Sequence, residues 1–172
     1  MKINPKVVKT FASVICCISI IFSTPSLSYQ WSDIVTKQAV ASEYQKQVDC
    51  LAKNIYYESG NETYEGKLAV AQVTLNRVNS GKFANDICAV VYQKKSGLCQ
   101  FSWTCMQVSS IKDKYMWEES LIIAKKALTQ PYLHDTIAKS NALYYHAVYV
   151  NPGWNKTKVV TKIGNHIFYA SI

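Results

Sequence analysis

The chain has 172 residues, of which 49% are hydrophobic, and a formal net charge of +8. This length supports one well-packed domain and is short for two. The basic excess suits an anionic polymer, but the lysines are scattered and Arg77 is the only arginine. Because no basic stripe with interleaved aromatic residues occurs, the sequence argues against nucleic-acid binding.

Residues 1–28 have the layout of a secretory signal peptide, with three lysines, an apolar run over residues 11–22 and small residues before Tyr29. An uncleaved anchor is the alternative, but the apolar run is short of the roughly 20 residues that span a membrane. Cleavage before Tyr29 would leave 16 basic and 11 acidic residues, a net charge of +5. We therefore expect a secreted or periplasmic protein that has no membrane contact after cleavage.

Four cysteines lie after this segment, at Cys50, Cys88, Cys99 and Cys105. An even number in an oxidising compartment favours disulfides over a metal site or a catalytic thiol. The stretch CQFSWTC has the length of a hairpin, which favours a Cys99–Cys105 bridge and leaves Cys50 to pair with Cys88. A zinc site is the alternative, but no CxxC spacing is present.

The first half of the remaining chain is predicted to be helical. Residues 29–47 form a lead-in helix or spacer, and a helix over 48–59 ends at Gly60-Asn61. A second helix starts near Thr63 and ends at Ser80-Gly81. Its short connection predicts antiparallel packing, which would bring Cys50 close to Cys88. The residues expected on its inner face are Leu68, Ala71, Leu75 and Val78.

The second half changes from helical to extended patterns. Residues 87–92 are a short apolar stretch, residues 98–106 are expected to form a small hairpin or extended loop, and a third helix covers 115–128. Residues 142–150 and 158–171 are rich in β-branched and aromatic residues and predict strands, the latter segment forming one or two short strands around Gly164. Helices first and strands later indicate an α+β domain over 48–172. The third helix should point Trp117, Leu121, Ala124 and Leu128 inward.

Glu58 is the main candidate for chemistry because it stands on the same helical face as Leu51 and Ile55. Partial desolvation there would raise its pKa, so that the carboxylic acid could donate a proton near neutral pH. The alternative is a structural glutamate that is capped, or paired with Lys53 or Arg77. Glu62 and Glu65 are more simply explained as favourable charges at the start of the second helix.

Five motifs in order resemble the SleB and CwlJ family of bacterial cell-wall hydrolases, the spore cortex-lytic enzyme type. The first is LAKNIYYESGNETYEGKLAVAQVTLNRV over residues 51–78, and DICAVVYQ follows at 86–93. The others are CQFSWTC, YYHAVYVNPGW and IGNHIFY. The resemblance covers about 120 residues and places Glu58 at the first glutamate of the family's YxEARGE-type motif.

This resemblance implies a lysozyme-like domain that cleaves peptidoglycan between N-acetylmuramic acid and N-acetylglucosamine. It implies a lytic transglycosylase in which Glu58 is acid and then base, without a cofactor. The chain departs from the family at Ser59-Gly60-Asn61, where Ala-Arg-Gly is usual, and at Met106, where many relatives carry aspartate. Losing that aspartate favours a one-carboxylate transglycosylase over a two-carboxylate glycosidase.

Seven further residues are predicted to bind the glycan strand. Gln100 and Ser102 offer hydrogen bonds to sugar hydroxyls and amides. Aromatic rings can stack on sugar faces or fill the core, so Trp103, Tyr145 and Trp154 have both possible roles. His146 and His166 match histidines in the closing motifs of the resemblance, and each either lines the cleft or is a hydrogen-bonded structural residue.

Two other functions remain open on sequence grounds. A zinc amidase that cuts the peptide stem could use His134, His146 and His166 with a glutamate, although no HExxH spacing occurs. A wall-binding domain without activity is the other alternative. The sequence predicts neither a metal nor an oligomeric state.

Overall fold

The computed structural model describes residues 27–108, 110–130, 132–154 and 157–172. Most of the predicted signal peptide, residues 1–26, lies outside this range, so cleavage and secretion stay predictions. Among the described residues, no helix combines the length and apolar character that a membrane crossing requires.

The chain divides into two units after Thr36. The described part of the first unit is helical, and its side chains from Trp31 onward are exposed. The second unit, Lys37–Ile172, contains the elements that form the candidate site. Helix α1 extends over Leu27–Ser59, so the predicted lead-in and first helix are one element. Within it, burial becomes complete at Val48.

Helix α2, Tyr64–Asn79, begins after Thr63, whose hydroxyl accepts a hydrogen bond from the Gly66 backbone N–H at 3.3 Å. Asn54 of α1 donates to the Thr74 hydroxyl at 3.3 Å in the interior between these helices. The predicted Cys50–Cys88 bridge is present, with a Cα–Cα distance of 5.2 Å. It ties α1 to the short helix α3, Ile87–Val91.

The predicted inner face of α2 is wrong in one respect. Leu68, Leu75 and Val78 are only partly buried, whereas Val70 and Val73 on another side are fully buried. The helix is central, with α3, α4, α5 and strand β4 packed around it, so no single stripe describes its burial. Its neighbours form two apolar clusters, one with Leu51, Ile55 and Ile123 and one with Ile137 and Phe168.

The region from residue 94 to 106 also differs from prediction. The hairpin lies earlier, with β1 at Lys94–Lys95 and β2 at Leu98–Cys99. Its turn residues, Ser96 and Gly97, both have positive φ angles, as a tight two-residue hairpin turn requires. Residues Ser102–Cys105 form a 3-10 helix instead of an extended loop. The predicted Cys99–Cys105 bridge encloses that helix, with a Cα–Cα distance of 6.1 Å.

Helix α4, Lys114–Thr129, begins after Asp113, whose carboxylate accepts from the Met116 N–H at 2.9 Å. Its fully buried positions are Ser120, Ile123 and Ala124, so the inner face is rotated from the predicted one and only Ala124 is shared. Trp117, Leu121 and Leu128 pack at the edge of the core as partly buried residues. Helix α5, Asp135–Lys139, follows.

The C-terminal strands form an antiparallel sheet in the order β3-β5-β4. Strand β3 is Tyr144–Ala147, β4 is Thr157–Ile163 and β5 is His166–Ser171. Of the one or two strands expected around Gly164, the structure has two, and the first strand of the sheet is shorter than predicted. Helices first and strands last confirm the α+β class.

The sheet has an inner and an outer face because side chains alternate along each strand. Tyr145 pairs with Phe168 and Ala147 with His166, and these four residues define the inner face. Phe168 is fully buried among α2 and α5 residues, which fixes the inner face against the helices. Tyr144, His146, Ile167 and Tyr169 define the outer face.

Candidate active site

Glu58 lies in the last turn of α1, where the core meets the surface. Leu51 and Ile55 on the same face are fully buried, and Glu58 itself is half-buried. The helix ends one residue later at Ser59, whose hydroxyl donates to the Ile55 carbonyl at 2.9 Å. The sequence pattern therefore placed this carboxyl group correctly at the end of an apolar stripe.

Tyr145, on the inner face of the sheet, reaches the Glu58 carboxyl. Its hydroxyl donates a hydrogen bond to Glu58 Oε2 at 3.1 Å. The Tyr145 ring is supported on the same face by His166 and Phe168, with ring centroids 5.1 and 5.6 Å away. This bond engages Oε2, and none of the hydrogen bonds found among the described residues involves Oε1.

Burial raises the pKa of Glu58 above its usual value, and this effect exceeds two opposing ones. The Tyr145 hydrogen bond and the positive charge of Arg77 both favour the carboxylate and lower the pKa. Glu58 is thus an acid whose proton is retained to higher pH, with two groups ready to stabilise the anion. That combination suits proton donation followed by proton acceptance.

Arg77 has both a structural and an electrostatic role. Its Nε donates to the Leu143 carbonyl at 2.8 Å, and its guanidinium lies 5.0 Å from the ring centroids of both Phe83 and Phe101. Its Nη1 is buried without a hydrogen-bond partner among the described residues. Because no salt bridge joins Glu58 to Arg77 or Lys53 in this part of the chain, Arg77 acts on Glu58 through its field.

A pocket of about 290 Å³ opens beside Glu58. It is bounded by the end of α1, the following loop, α4 and the sheet. Burial lowers the pKa of His166 at its edge, which favours the neutral imidazole. The lining residues are Tyr56, Tyr57, Glu58, Ser59, Gly60, Asn61, Glu62, Met116, Ala147, Tyr149, Asn165 and His166.

Glu62, the second carboxylate at this pocket, is bound to the turn between β4 and β5. Its Oε2 accepts from the Asn165 backbone N–H at 3.1 Å, and its Oε1 accepts from the Asn165 side-chain amide at 3.0 Å. Gly164 has a positive φ of 55°, and a Cβ there would collide with the Glu62 carboxylate. Glycine at position 164 thus permits the close approach of Glu62, and the two hydrogen bonds to Asn165 hold the turn against the loop that follows Glu58.

The departure from the family motif at Gly60 has a steric counterpart. Gly60 is buried, and a Cβ added there would collide with the Met116 sulfur and the Tyr56 carbonyl. The Tyr56 hydroxyl accepts backbone N–H groups of Lys112 and Asp113, both at 3.2 Å, which fixes the start of α4. Met116 therefore fills the space beside position 60 and gives the pocket an apolar wall.

The structure divides the predicted binding residues among several places. Tyr145 contacts Glu58, and His166 lines the same pocket. His146 and Trp154 lie instead with the outer face, where His146 Nε2 is 2.7 Å from the Tyr169 hydroxyl and Trp154 is 5.6 Å from the His146 ring. These two residues do not join the Glu58 pocket.

The three candidates near the second disulfide are also separated. Gln100 lines a different pocket, and Ser102 is exposed. Trp103 is buried, donates to Asn54 Oδ1 at 3.1 Å and stacks on Tyr57 with a centroid distance of 4.8 Å. Its ring therefore packs against Tyr57, a lining residue of the Glu58 pocket.

The histidines of the alternative zinc site have separate partners. His134 Nε2 is 3.4 Å from the Glu65 carboxylate, whereas His146 Nε2 is 2.7 Å from the Tyr169 hydroxyl and His166 lines the Glu58 pocket. Over residues 27–108, 110–130, 132–154 and 157–172, no group of three or more His, Cys, Asp or Glu side chains is placed to hold a metal ion. The zinc amidase gains no support from this arrangement.

Sequence reasoning missed Met116, Tyr149 and Asn165 as pocket residues. Asn165 lies in the IGNHIFY motif, so its position beside a turn glycine was a usable signal. Met116 had no comparable signal, because its role depends on how α4 crosses the end of α1.

Comparison with known proteins gives a consistent family. The family described as "Cell Wall Hydrolase" matches residues 61–169. A spore cortex-lytic enzyme of Oceanobacillus iheyensis is 30% identical over 130 residues, covering 72% of this chain and 41% of that protein. A spore cortex-lytic enzyme of Bacillus cereus is 30% identical over 131 residues, covering 72% and 44%.

The crystal structure of the catalytic domain of the Bacillus cereus SleB protein has the same fold. Its TM-score is 0.51 at 26% identity, covering 73% of this chain and 91% of that domain. The chain spans less than half the length of these curated relatives. The family match begins after Glu58, so the role of Glu58 depends on the geometry of its pocket.

Proposed function

Because this chain belongs to the cell wall hydrolase family, we propose that it degrades peptidoglycan as a lytic transglycosylase. The bond cleaved is that between N-acetylmuramic acid and N-acetylglucosamine. The observation that carries this proposal is a half-buried Glu58 of raised pKa, held by Tyr145 in a pocket whose other carboxylate is already engaged. The proposal places the enzyme outside the cytoplasm, where its substrate lies.

In the first step, the Glu58 carboxylic acid gives its proton to the glycosidic oxygen as the bond from that oxygen to C1 of muramic acid breaks. The N-acetylglucosamine side leaves with a free hydroxyl. In the second step, the Glu58 carboxylate removes the proton from the C6 hydroxyl of the muramic acid, and the C6 oxygen bonds to C1. The product is a 1,6-anhydro ring, no water is consumed, and Glu58 is again protonated.

Tyr145 and Arg77 support the first step, in which Glu58 gives up its proton and becomes a carboxylate. Both favour the carboxylate, and neither takes up the proton. Since Tyr145 occupies Oε2, Oε1 is the oxygen available to the substrate. The permanent positive charge of Arg77 likewise stabilises Glu58 once it becomes negative.

The engagement of Glu62 favours transglycosylation over simple hydrolysis. Retaining and inverting glycosidases require two carboxylates beside the bond, one as acid and one as nucleophile or base. Glu62 is the second carboxylate at this pocket, and both of its oxygens accept hydrogen bonds from Asn165. A carboxylate fixed in this way is better suited to hold the β4–β5 turn than to attack a sugar carbon.

Mass spectrometry of the fragments released from intact peptidoglycan tests the proposal. The wild type should release fragments with anhydro-muramic ends, which are lighter by one water than reducing ends. Glu58→Gln is nearly isosteric but cannot transfer a proton, so the rate should fall by about 10²- to 10⁴-fold. Glu62→Gln, the matched amide change, should still produce anhydro ends.

Other products would overturn the proposal in recognisable ways. Reducing ends that disappear in Glu62→Gln would make Glu62 the second carboxylate of a hydrolase. Free stem peptides would indicate the amidase. Sedimentation with peptidoglycan without any product would indicate a binding domain.

A further inference from the structure

A second pocket, of about 350 Å³, lies apart from Glu58 and has a different chemical character. It is formed by the segment after α2, the β1–β2 hairpin region and the start of β3. Its lining contains two lysines, two glutamines and two aromatic rings. These residues are Lys82, Phe83, Gln93, Lys95, Gln100 and Tyr144.

The pocket carries two positive charges and no negative one. Lys82 and Lys95 are exposed at its rim, and neither ammonium group forms a salt bridge within the described part of the chain. No aspartate or glutamate is among the lining residues. Two ammonium groups at one concave site attract an anionic ligand, whereas an uncharged sugar would form no ion pair with them.

The amides add a requirement for a hydrogen-bond donor. Gln93 Oε1 is buried and accepts no hydrogen bond among the described residues. A buried acceptor without a partner is unfavourable unless a ligand supplies an N–H or O–H. Gln100 is held next to it, because its backbone N–H donates to the Gln93 carbonyl at 3.0 Å. The aromatic faces of Phe83 and Tyr144, 6.1 Å apart by ring centroid, complete an apolar side.

The second pocket is linked to the Glu58 pocket through Arg77. The Arg77 guanidinium lies 5.0 Å from the Phe83 ring centroid, and its charge also acts on Glu58. Tyr144, a lining residue, directly precedes Tyr145, which binds Glu58. Tyr144 and Tyr145 point to opposite faces of the sheet, so the link between the two sites is the charge and packing of the buried Arg77 side chain.

We propose that the second pocket binds the acidic stem peptide of peptidoglycan. Peptide carboxylates pair with Lys82 and Lys95, and a peptide N–H donates to Gln93 Oε1. Apolar parts of the stem lie against Phe83 and Tyr144. This assignment rests on the proposed function for its substrate, and it adds that the enzyme recognises the peptide as well as the glycan.

Calorimetric titration of the Glu58→Gln protein tests this pocket without cleavage of the ligand. The probes are a soluble N-acetylmuramyl peptide with free carboxylates and the same compound with its carboxylates amidated. The free acid should bind about tenfold more tightly, and replacing both lysines (Lys82→Gln with Lys95→Gln) should remove that preference. Gln93→Leu should weaken both probes, because it removes the acceptor and leaves the charges.

The matched control replaces Lys94 and Lys125 by glutamine, since both are exposed and neither lines the pocket. It loses the same two charges and should keep the preference for the free acid. Equal loss in the control, equal binding of the two probes, or no binding of either would overturn the proposal. Selective binding without any cleavage by the wild type would refute the proposed function and leave the peptide site standing.

Discussion

The two faces of the C-terminal sheet both carry tyrosine and histidine side chains, but only the inner face contacts Glu58. The inner face presents Tyr145 and His166 to the Glu58 pocket, and Phe168 closes the core behind them. The outer face presents Tyr144, His146 and Tyr169, which pack with Trp154 at centroid distances of 5.6–5.7 Å. Neighbouring residues of YYHA thus have different roles: Tyr145 donates a hydrogen bond to Glu58, whereas Tyr144 and His146 contact the Trp154 ring.

The largest expected difference between the faces is in stability. Phe168 is fully buried, so Phe168→Ala should lower the free energy of unfolding by about 3–5 kcal/mol. Tyr169, the next residue of β5, points to the outer face and is only partly buried. Tyr169→Ala should therefore lower the free energy of unfolding by less than half as much. Urea denaturation measures both, and equal losses would contradict the assignment of the two faces.

A second comparison removes one hydroxyl from each face. Tyr145→Phe deletes the hydrogen bond to Glu58, and kcat on peptidoglycan should fall about 10- to 100-fold because the carboxylate loses its donor. Tyr169→Phe deletes the bond to His146 and should leave kcat within about twofold, since that bond lies outside the pocket. If the two variants lost activity equally, the inner face would have no special link to the chemistry.

The smallest effect is on the pH dependence of stability. Because burial raises the folded pKa of Glu58 above its reference value of 4.5, the stability linked to its neutral form is complete below that pH. It is lost as pH rises through the folded pKa. Glu58→Gln does not titrate, so its Tm relative to wild type should increase with pH across this window. A constant difference in Tm would mean that Glu58 has an unshifted pKa.

Local pattern predicted much of the fold because several elements have strong signals. The apolar stripe of α1 and the Gly60-Asn61 stop located Glu58, and the strand composition with Gly164 located the β4–β5 hairpin. The rotation of α4 and the all-round burial of α2 were not predictable in this way. They depend on which neighbours surround each helix, which periodicity does not contain.

The site was predicted less completely than the fold. Alternation along a strand puts Tyr145 and His146 on opposite faces, but a shared motif had suggested one cleft for both. Tyr145 had two possible roles on sequence grounds, stacking on sugar or filling the core, and its hydrogen bond to Glu58 was not anticipated. Met116 enters the pocket from α4, and a Cβ at Gly60 would collide with its sulfur.

The pH profile of kcat for wild type and Tyr145→Phe tests most directly whether Glu58 is the proton donor controlled by the inner face. Activity requires protonated Glu58, so kcat should fall as pH rises through its pKa. Tyr145 lowers that pKa, and its loss should move the alkaline limb of the profile to higher pH while the maximum falls. An alkaline limb at the same pH in both proteins would contradict the account.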